Sequence, residues 1–145
     1  MKTYIKKFNE LTNNELYDIL KLRSEIFVVK QNCIYLDMDD IDKHSYHVYL
    51  RDDFNLYSYL RLFNDSSEPD VFKIGRVVSK IENKGFGKEV MTNAIKYAKN
   101  ELKAKKIKLN SQVYAQGFYS SLGFKLTKEE YLLDDIPHVD MELSL

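Results

Sequence analysis

Residues 71–102 read VFKIGRVVSKIENKGFGKEVMTNAIKYAKNEL, and the order of parts within this stretch decides the fold. Val71 to Ser79 alternates in polarity and predicts a strand. Gly85-Phe86-Gly87 makes a turn, and Val90, Met91, Ala94, Ile95, Ala98 and Leu102 then recur at helical spacing over about four turns. A strand that passes through a glycine turn into a helix leaves the first helical amides unpaired and pointing outward beside the turn. Such a place binds anions, commonly phosphate. Glycine lets the backbone come within hydrogen-bonding distance of ligand oxygens without a Cβ in the way, and Lys84 and Lys88 add positive charge.

Two common phosphate loops do not fit. A Walker loop needs glycine at position 82 and Ser or Thr after the lysine, where the chain has Glu82 and Glu89. A dinucleotide fingerprint needs glycine at position 90, which is Val90. Taken alone, Gly-x-Gly before a helix reads more often as a plain tight turn.

Outward from this stretch, the N-terminal side predicts a short strand around Tyr4 to Phe8. Thr12 to Glu15 follows as a capping box that starts a helix. Leu16, Ile19, Leu20, Ile26 and Phe27 continue at helical spacing, and Arg23 falls on the same apolar stripe. Residues 31–45 are acidic and irregular. Tyr46 to Leu50 and Leu56 to Phe63 alternate on either side of Asp52-Asp53-Phe54-Asn55, which predicts a hairpin. On the C-terminal side, Ile107 and Leu109 mark a strand, Tyr114 to Leu122 a short helix, and Val139, Met141 and Leu143 a last strand. The order β, α, hairpin and strand, α, β, α, β, β implies an α/β (α+β) sheet with helices on its faces. Nothing resembles a linker or a repeat, so residues 1–145 read as one domain.

Composition excludes several classes. At 145 residues with 44% apolar content the chain can bury a core. Lys and Arg number 22, as do Asp and Glu, so little counterion release is available and nucleic acid is not expected as a main partner. The lone Cys33 forms no internal disulfide, the N-terminus lacks a signal-like apolar run, and no stretch is long enough to span a membrane. A cytoplasmic protein is expected. Asp37-Met38-Asp39-Asp40-Ile41-Asp42 lacks the glycine at the sixth position and the glutamate at the twelfth of a calcium loop, so no metal is expected there.

Glu82-Asn83-Lys84-Gly85-Phe86-Gly87-Lys88 resembles the acetyl-CoA motif of the GNAT superfamily, Arg/Gln-x-x-Gly-x-Gly/Ala between a strand and a helix, with Glu82 standing where Arg or Gln usually begins the loop. About 30 residues later, Gln112 to Phe124 (QVYAQGFYSSLGF) resembles the second motif, in which a helix ends at a Leu-Gly-Phe turn. More narrowly, the chain is similar to the ElaA-like branch from about Leu16 to Met141. The carrying residues are Leu22 to Cys33, Tyr35, Asp37, Asp39, Asp42, His47, Ile74 to Val78 and Ile136-Pro137-His138.

The resemblance implies a mixed, mostly antiparallel sheet flanked by helices, and an N-acetyltransferase that moves the acetyl group of acetyl-CoA directly to a primary amine. It implies that the backbone of Val77, Val78 and Ser79 pairs with the pantetheine arm. The amides of Asn83, Lys84, Gly85, Phe86, Gly87 and Lys88 hold the pyrophosphate, and Gln112 faces the cofactor. A strand amide near Val78 polarises the thioester carbonyl, and Tyr119 is the general acid for the leaving thiolate. The acceptor side falls to Arg23, Phe27, Tyr35, Arg61 and Arg76; the three arginines pair either with a carboxylate-bearing substrate or with the aspartates of residues 37–42. The general base stays open among His138, His47, Glu25 and Asp37. The acceptor is a small-molecule or peptide amine, with a homodimer one option for assembly. A non-catalytic acyl-CoA-binding module is the alternative, and Glu82 favours it.

Overall fold

The computed structural model describes residues Met1–Leu145. Its strands are β1 (Lys2–Lys7), β2 (Tyr46–Arg51), β3 (Leu56–Asn64), β4 (Val71–Ser79), β5 (Lys106–Gln112), β6 (Lys125–Leu126), β7 (Tyr131–Leu133) and β8 (Ile136–Ser144). Its α-helices are α1 (Asn13–Arg23), α2 (Phe86–Asn100) and α3 (Gln116–Ser121). The fold is mixed α/β with a mostly antiparallel sheet: β4 and β5 run parallel, and the pairs β1–β2, β2–β3, β5–β8, β6–β8 and β7–β8 run antiparallel. No helix is long and apolar enough to cross a membrane.

The structure differs from the predicted order in two places. Three strands follow α3 rather than two, because β6 and β7 span only two and three residues and are too short to show an alternating pattern. The first helix also changes type before its predicted end. After Arg23 the chain continues as a π-helix over Ser24–Lys30, with the Gln31 amide reaching the Ile26 carbonyl and the Cys33 amide reaching that of Val28, both at 3.1 Å.

The chain divides into two compact units, the first comprising 1–63 and 76–94 and the second 64–75 and 95–145. In the first, β1, β2 and β3 form an antiparallel meander whose β1–β2 register runs from Lys2 opposite Arg51 to Lys7 opposite Tyr46. Its core gathers Ile19, Leu22, Tyr49, Tyr59 and Val78, with Phe27, Ile26, Leu11, Tyr4 and Leu56 packed around them. The capping box forms as read: the Glu15 amide donates to Thr12 Oγ1 at 3.1 Å, and the Thr12 amide donates to Glu15 Oε1 at 2.9 Å.

In the second unit β8 is central. It pairs with β5 over seven positions, from Lys106 opposite Ser144 to Gln112 opposite His138, and with β6 and β7. The β7–β8 hairpin closes on Asp134 and Asp135, both at positive φ, as a two-residue turn with the twist of the strands requires. Gly123, at φ +99 after α3, also needs its missing side chain, because a Cβ there would sit 3.1 Å from Leu143 Cδ1. The parallel β4–β5 ladder joins Val71, Phe72 and Lys73 to Lys106, Ile107 and Lys108 and stops there, so Ile74 and Gly75 have no β5 partner.

Candidate active site

Along α2, Val90, Met91, Ala94 and Ala98 are fully buried, which fixes the helix by one face and directs its N-terminus. The turn before it is exposed from Ile81 to Gly85 and carries two left-handed residues, Asn83 at φ +61 and Gly85 at φ +79. A Cβ on Gly85 would meet nothing within 4 Å, so the glycine serves the backbone conformation and leaves open space above it. Ser58 Oγ donates to the Phe86 carbonyl at 2.8 Å, and the Tyr57 and Phe86 rings lie 5.1 Å apart, so β3 anchors the start of the helix. The result is a held helix terminus with free amides and an unobstructed approach. Lys84 and Lys88 flank it, both exposed, as is Glu82.

Arg23, Arg61 and Arg76 converge on the segment between the π-helix and β2. Arg23, with no exposure, donates through Nε to Asp37 Oδ2 at 2.8 Å and through Nη1 to Asp42 Oδ1 at 2.7 Å. Arg61 takes both oxygens of Asp39, at 2.6 and 2.7 Å, and reaches Asp42 at 3.1 Å. Arg76 donates through Nε to Asp37 Oδ1 and through Nη2 to the Asp37 carbonyl, both at 2.8 Å. Tyr35 donates its hydroxyl to Asp37 at 3.0 Å and lies beneath Arg76, whose guanidinium is 5.6 Å from the ring centre. Three guanidiniums thus meet three carboxylates, with Arg23, Arg61, Asp37 and Asp42 buried and Arg76 and Asp39 reaching the surface, so the buried charges are paired.

The electrostatics follow from this packing. Burial works against the charge on Arg23, yet its bond to Asp42 and the field of Asp37 hold its pKa above the ordinary value. Arg61 holds Asp39 below the carboxylate range; burial opposes the ionisation of Asp42, but Arg23 and Arg61 win. Burial and Asp37 push Tyr35 up to about 12. His47 is fully buried, with Nδ1 2.7 Å from the Tyr59 hydroxyl and Nε2 2.9 Å from the Asp42 carbonyl. Nε2–H therefore donates to the carbonyl and Nδ1 accepts from the phenol, and burial lowers its pKa and keeps it neutral. Both ring nitrogens are occupied, so His47 has no lone pair to offer a substrate.

Phe27 sits on the π-helix and packs against the cluster that contains Val78. Glu25 opens instead on a shallow cavity of about 160 Å³ with Asp18, Lys21, Phe54 and Lys80.

In the second unit Gln112 and His138 lie directly opposite each other on β5 and β8, with Tyr131 opposite His138 on β7. His138 Nδ1–H donates to the Ile136 carbonyl at 2.7 Å, which leaves Nε2 as the ring nitrogen without that partner. The Tyr131 ring stacks on His138 at 6.1 Å, and its hydroxyl donates to Asp140 at 2.6 Å. Tyr119 lies on α3, 8% exposed, edge-on to Phe118 and Phe124. Its burial raises the phenol well above its usual pKa, with a smaller contribution from Tyr114.

Sequence reasoning left the three arginines between a carboxylate-bearing substrate and the aspartates of residues 37–42; the structure pairs them with the aspartates, and what the sequence missed is which arginine meets which. No local signal marks that pairing: the partners stand 14, 19, 22 and 39 residues apart. It also missed the left-handed backbone of Arg76 inside β4, at φ +53. The preceding Gly75 hints at irregularity, yet the unusual conformation falls on the arginine.

A strand leading through a glycine turn to an open helix terminus, in a mixed sheet, offers a place for an anionic group. The acetyltransferase (GNAT) domain family matches residues 16–145, and the chain belongs to that family. Within it the chain is of the ElaA-like branch: Escherichia coli ElaA is 31% identical over 137 residues, 92% of this chain and 90% of that one. The ElaA crystal structure aligns with a TM-score of 0.90 over 97% of both chains. A UPF0039 protein of Schizosaccharomyces pombe is 42% identical over 97% of this chain and 95% of its own. A crystal structure described as an acyl-CoA N-acyltransferase from Pseudomonas aeruginosa aligns with a TM-score of 0.88 at 35% identity, covering 98% of this chain and 99% of that one.

Proposed function

We propose that the chain transfers the acetyl group of acetyl-CoA to a primary amine by direct attack, within one domain spanning residues 1–145. The observation that carries this reading is the α2 terminus: Gly85 at φ +79 with open space above it, followed by Phe86, Gly87 and Lys88, first-turn residues whose amides have no intrahelical acceptor. These residues fit a pyrophosphate, and acetyl-CoA supplies an activated acyl group when bound. The early end of the β4–β5 ladder supports Val77, Val78 and Ser79 as the strand that receives the pantetheine arm, with an N–H near Val78 donating to the thioester oxygen. All three unit boundaries fall inside an element, β3, β4 and α2, which supports the single-domain reading.

Tyr119 is assigned as general acid. Its raised pKa keeps the phenol protonated throughout the physiological range but makes it a weaker acid than a thiol of pKa near 8.5, so it serves the leaving thiolate first as a hydrogen-bond donor while charge develops on the sulfur. His138 is assigned as base through Nε2, because its Nδ1 is occupied by a carbonyl and the alternatives His47 and Asp37 are closed by their own bonds. Gln112, its cross-strand neighbour, is assigned to the cofactor side. Arg23 and Arg61 are buried and occupied, so we assign them to holding residues 37–42, and we leave Arg76, Tyr35 and Phe27 nearest the acceptor.

Release of free thiol from acetyl-CoA across a panel of small and peptide amines tests the assignment. Tyr119→Phe is expected to lower turnover by more than about tenfold while leaving coenzyme A affinity within about twofold. Coenzyme A binding with no thiol release from any amine would favour a non-catalytic sensing module, the reading that the exposed Glu82 at the head of the loop supports.

A further inference from the structure

Arg76 is the only residue of β4 with a positive φ, at +53. An L-residue there crowds its Cβ against the carbonyl, and within a strand the conformation turns the following peptide out of the regular pleat. Such a conformation persists only where the surroundings impose it. The side chain shows what does. Nε and Nη2 grip the carboxylate and the carbonyl of one residue, Asp37, at 2.8 Å each, which sets the guanidinium in both position and orientation. Tyr35 supports it from one face, and Asp37 is itself held by the buried Arg23 at 2.8 Å. The anchor is therefore rigid, and the next three residues are those assigned to the acyl donor.

We propose that Arg76 is a positioning residue: Asp37 clamps its guanidinium so that the left-handed Arg76 backbone sets the direction of the peptide groups of Val77, Val78 and Ser79. The proposal rests on the reading of those residues as the donor-binding strand. Its logic separates two substitutions that remove the same guanidinium. Arg76→Gly loses the clamp but keeps free access to positive φ. Arg76→Ala loses the clamp and is driven back to negative φ.

The experiment compares wild type, Arg76→Gly, Arg76→Ala and Asp37→Asn by amide hydrogen exchange at residues 77–79 and by steady-state acetyl transfer. Exchange at those amides is expected to rise about tenfold or more in Arg76→Ala and Asp37→Asn. Their kcat is expected to fall about tenfold or more with KM for acetyl-CoA within about threefold, and Arg76→Gly to regain much of the kcat lost in Arg76→Ala. Unchanged exchange in both Arg76→Ala and Asp37→Asn overturns the clamp. So does a glycine variant no better than alanine, because the guanidinium itself would then be what the reaction needs. Arg76→Gly leaves the Arg23–Asp37 pair intact, which keeps the comparison valid if Asp37→Asn fails to fold. Should wild type release no thiol with any amine, the proposed activity falls, and the exchange comparison still decides the clamp.

Discussion

Glu15 shows how much one side chain can be asked to do. Its carboxylate completes the cap of α1 at the Thr12 amide, pairs with Lys6 at 3.0 Å and accepts a very short bond from the buried Tyr49 hydroxyl. Burial alone would raise its pKa, but Thr12, Tyr49 and Lys6 together lower it from an ordinary 4.5 to about 2. A carboxyl whose folded pKa is depressed stabilises the protein above its unfolded pKa, and this contribution is lost as the pH falls towards the folded value. Glu15→Gln is therefore expected to cost about 3 kcal/mol at pH 7. The difference from wild type should shrink below about half of that by pH 3. Urea unfolding at the two pH values measures both. A deficit that stays constant with pH would assign the loss to packing rather than charge.

The loop at residues 80–85 and the helix it feeds are the proposed pyrophosphate site, and Glu82 is its anomaly. An exposed carboxylate beside a phosphate site opposes binding by field alone, without touching the fold. Glu82→Arg is expected to tighten coenzyme A binding about fivefold at low salt, with most of the gain gone at about 0.5 M. Calorimetric titration at the two ionic strengths reads it directly. The strand, turn and helix were legible in the sequence because they are contiguous, as was the Thr12–Glu15 cap. The π-helix was not. Ile26 and Phe27 satisfy a helical period equally well after the hydrogen bonds have slipped by one residue, so the apolar pattern carries no trace of the slip.

Across the chain as a whole, ligand binding and stability are linked. Coenzyme A at a hundred times its dissociation constant adds about 2.7 kcal/mol, which for a chain of this length is expected to raise Tm by about 6–10 °C. ATP at the same concentration should leave Tm unchanged, and an equal shift with ATP would point to a general nucleotide site. The family was readable because the two motifs lie in order about 30 residues apart. Which aspartate each arginine meets, and the Gln112–His138 pair, were not, since both arise from strand register and long-range packing that single residues do not announce. The π-helix also governs how this chain tolerates changes in length. It holds a residue more than an α-helical turn of the same rise would, and Val29 on it is 74% exposed. Deleting that one residue would let the turn wind tighter with almost no loss of core, yet it would pull Asp37 out of step with Arg23 and Arg76. Insertions and deletions among related chains should therefore collect in the exposed turn at 66–69 and avoid residues 24–42.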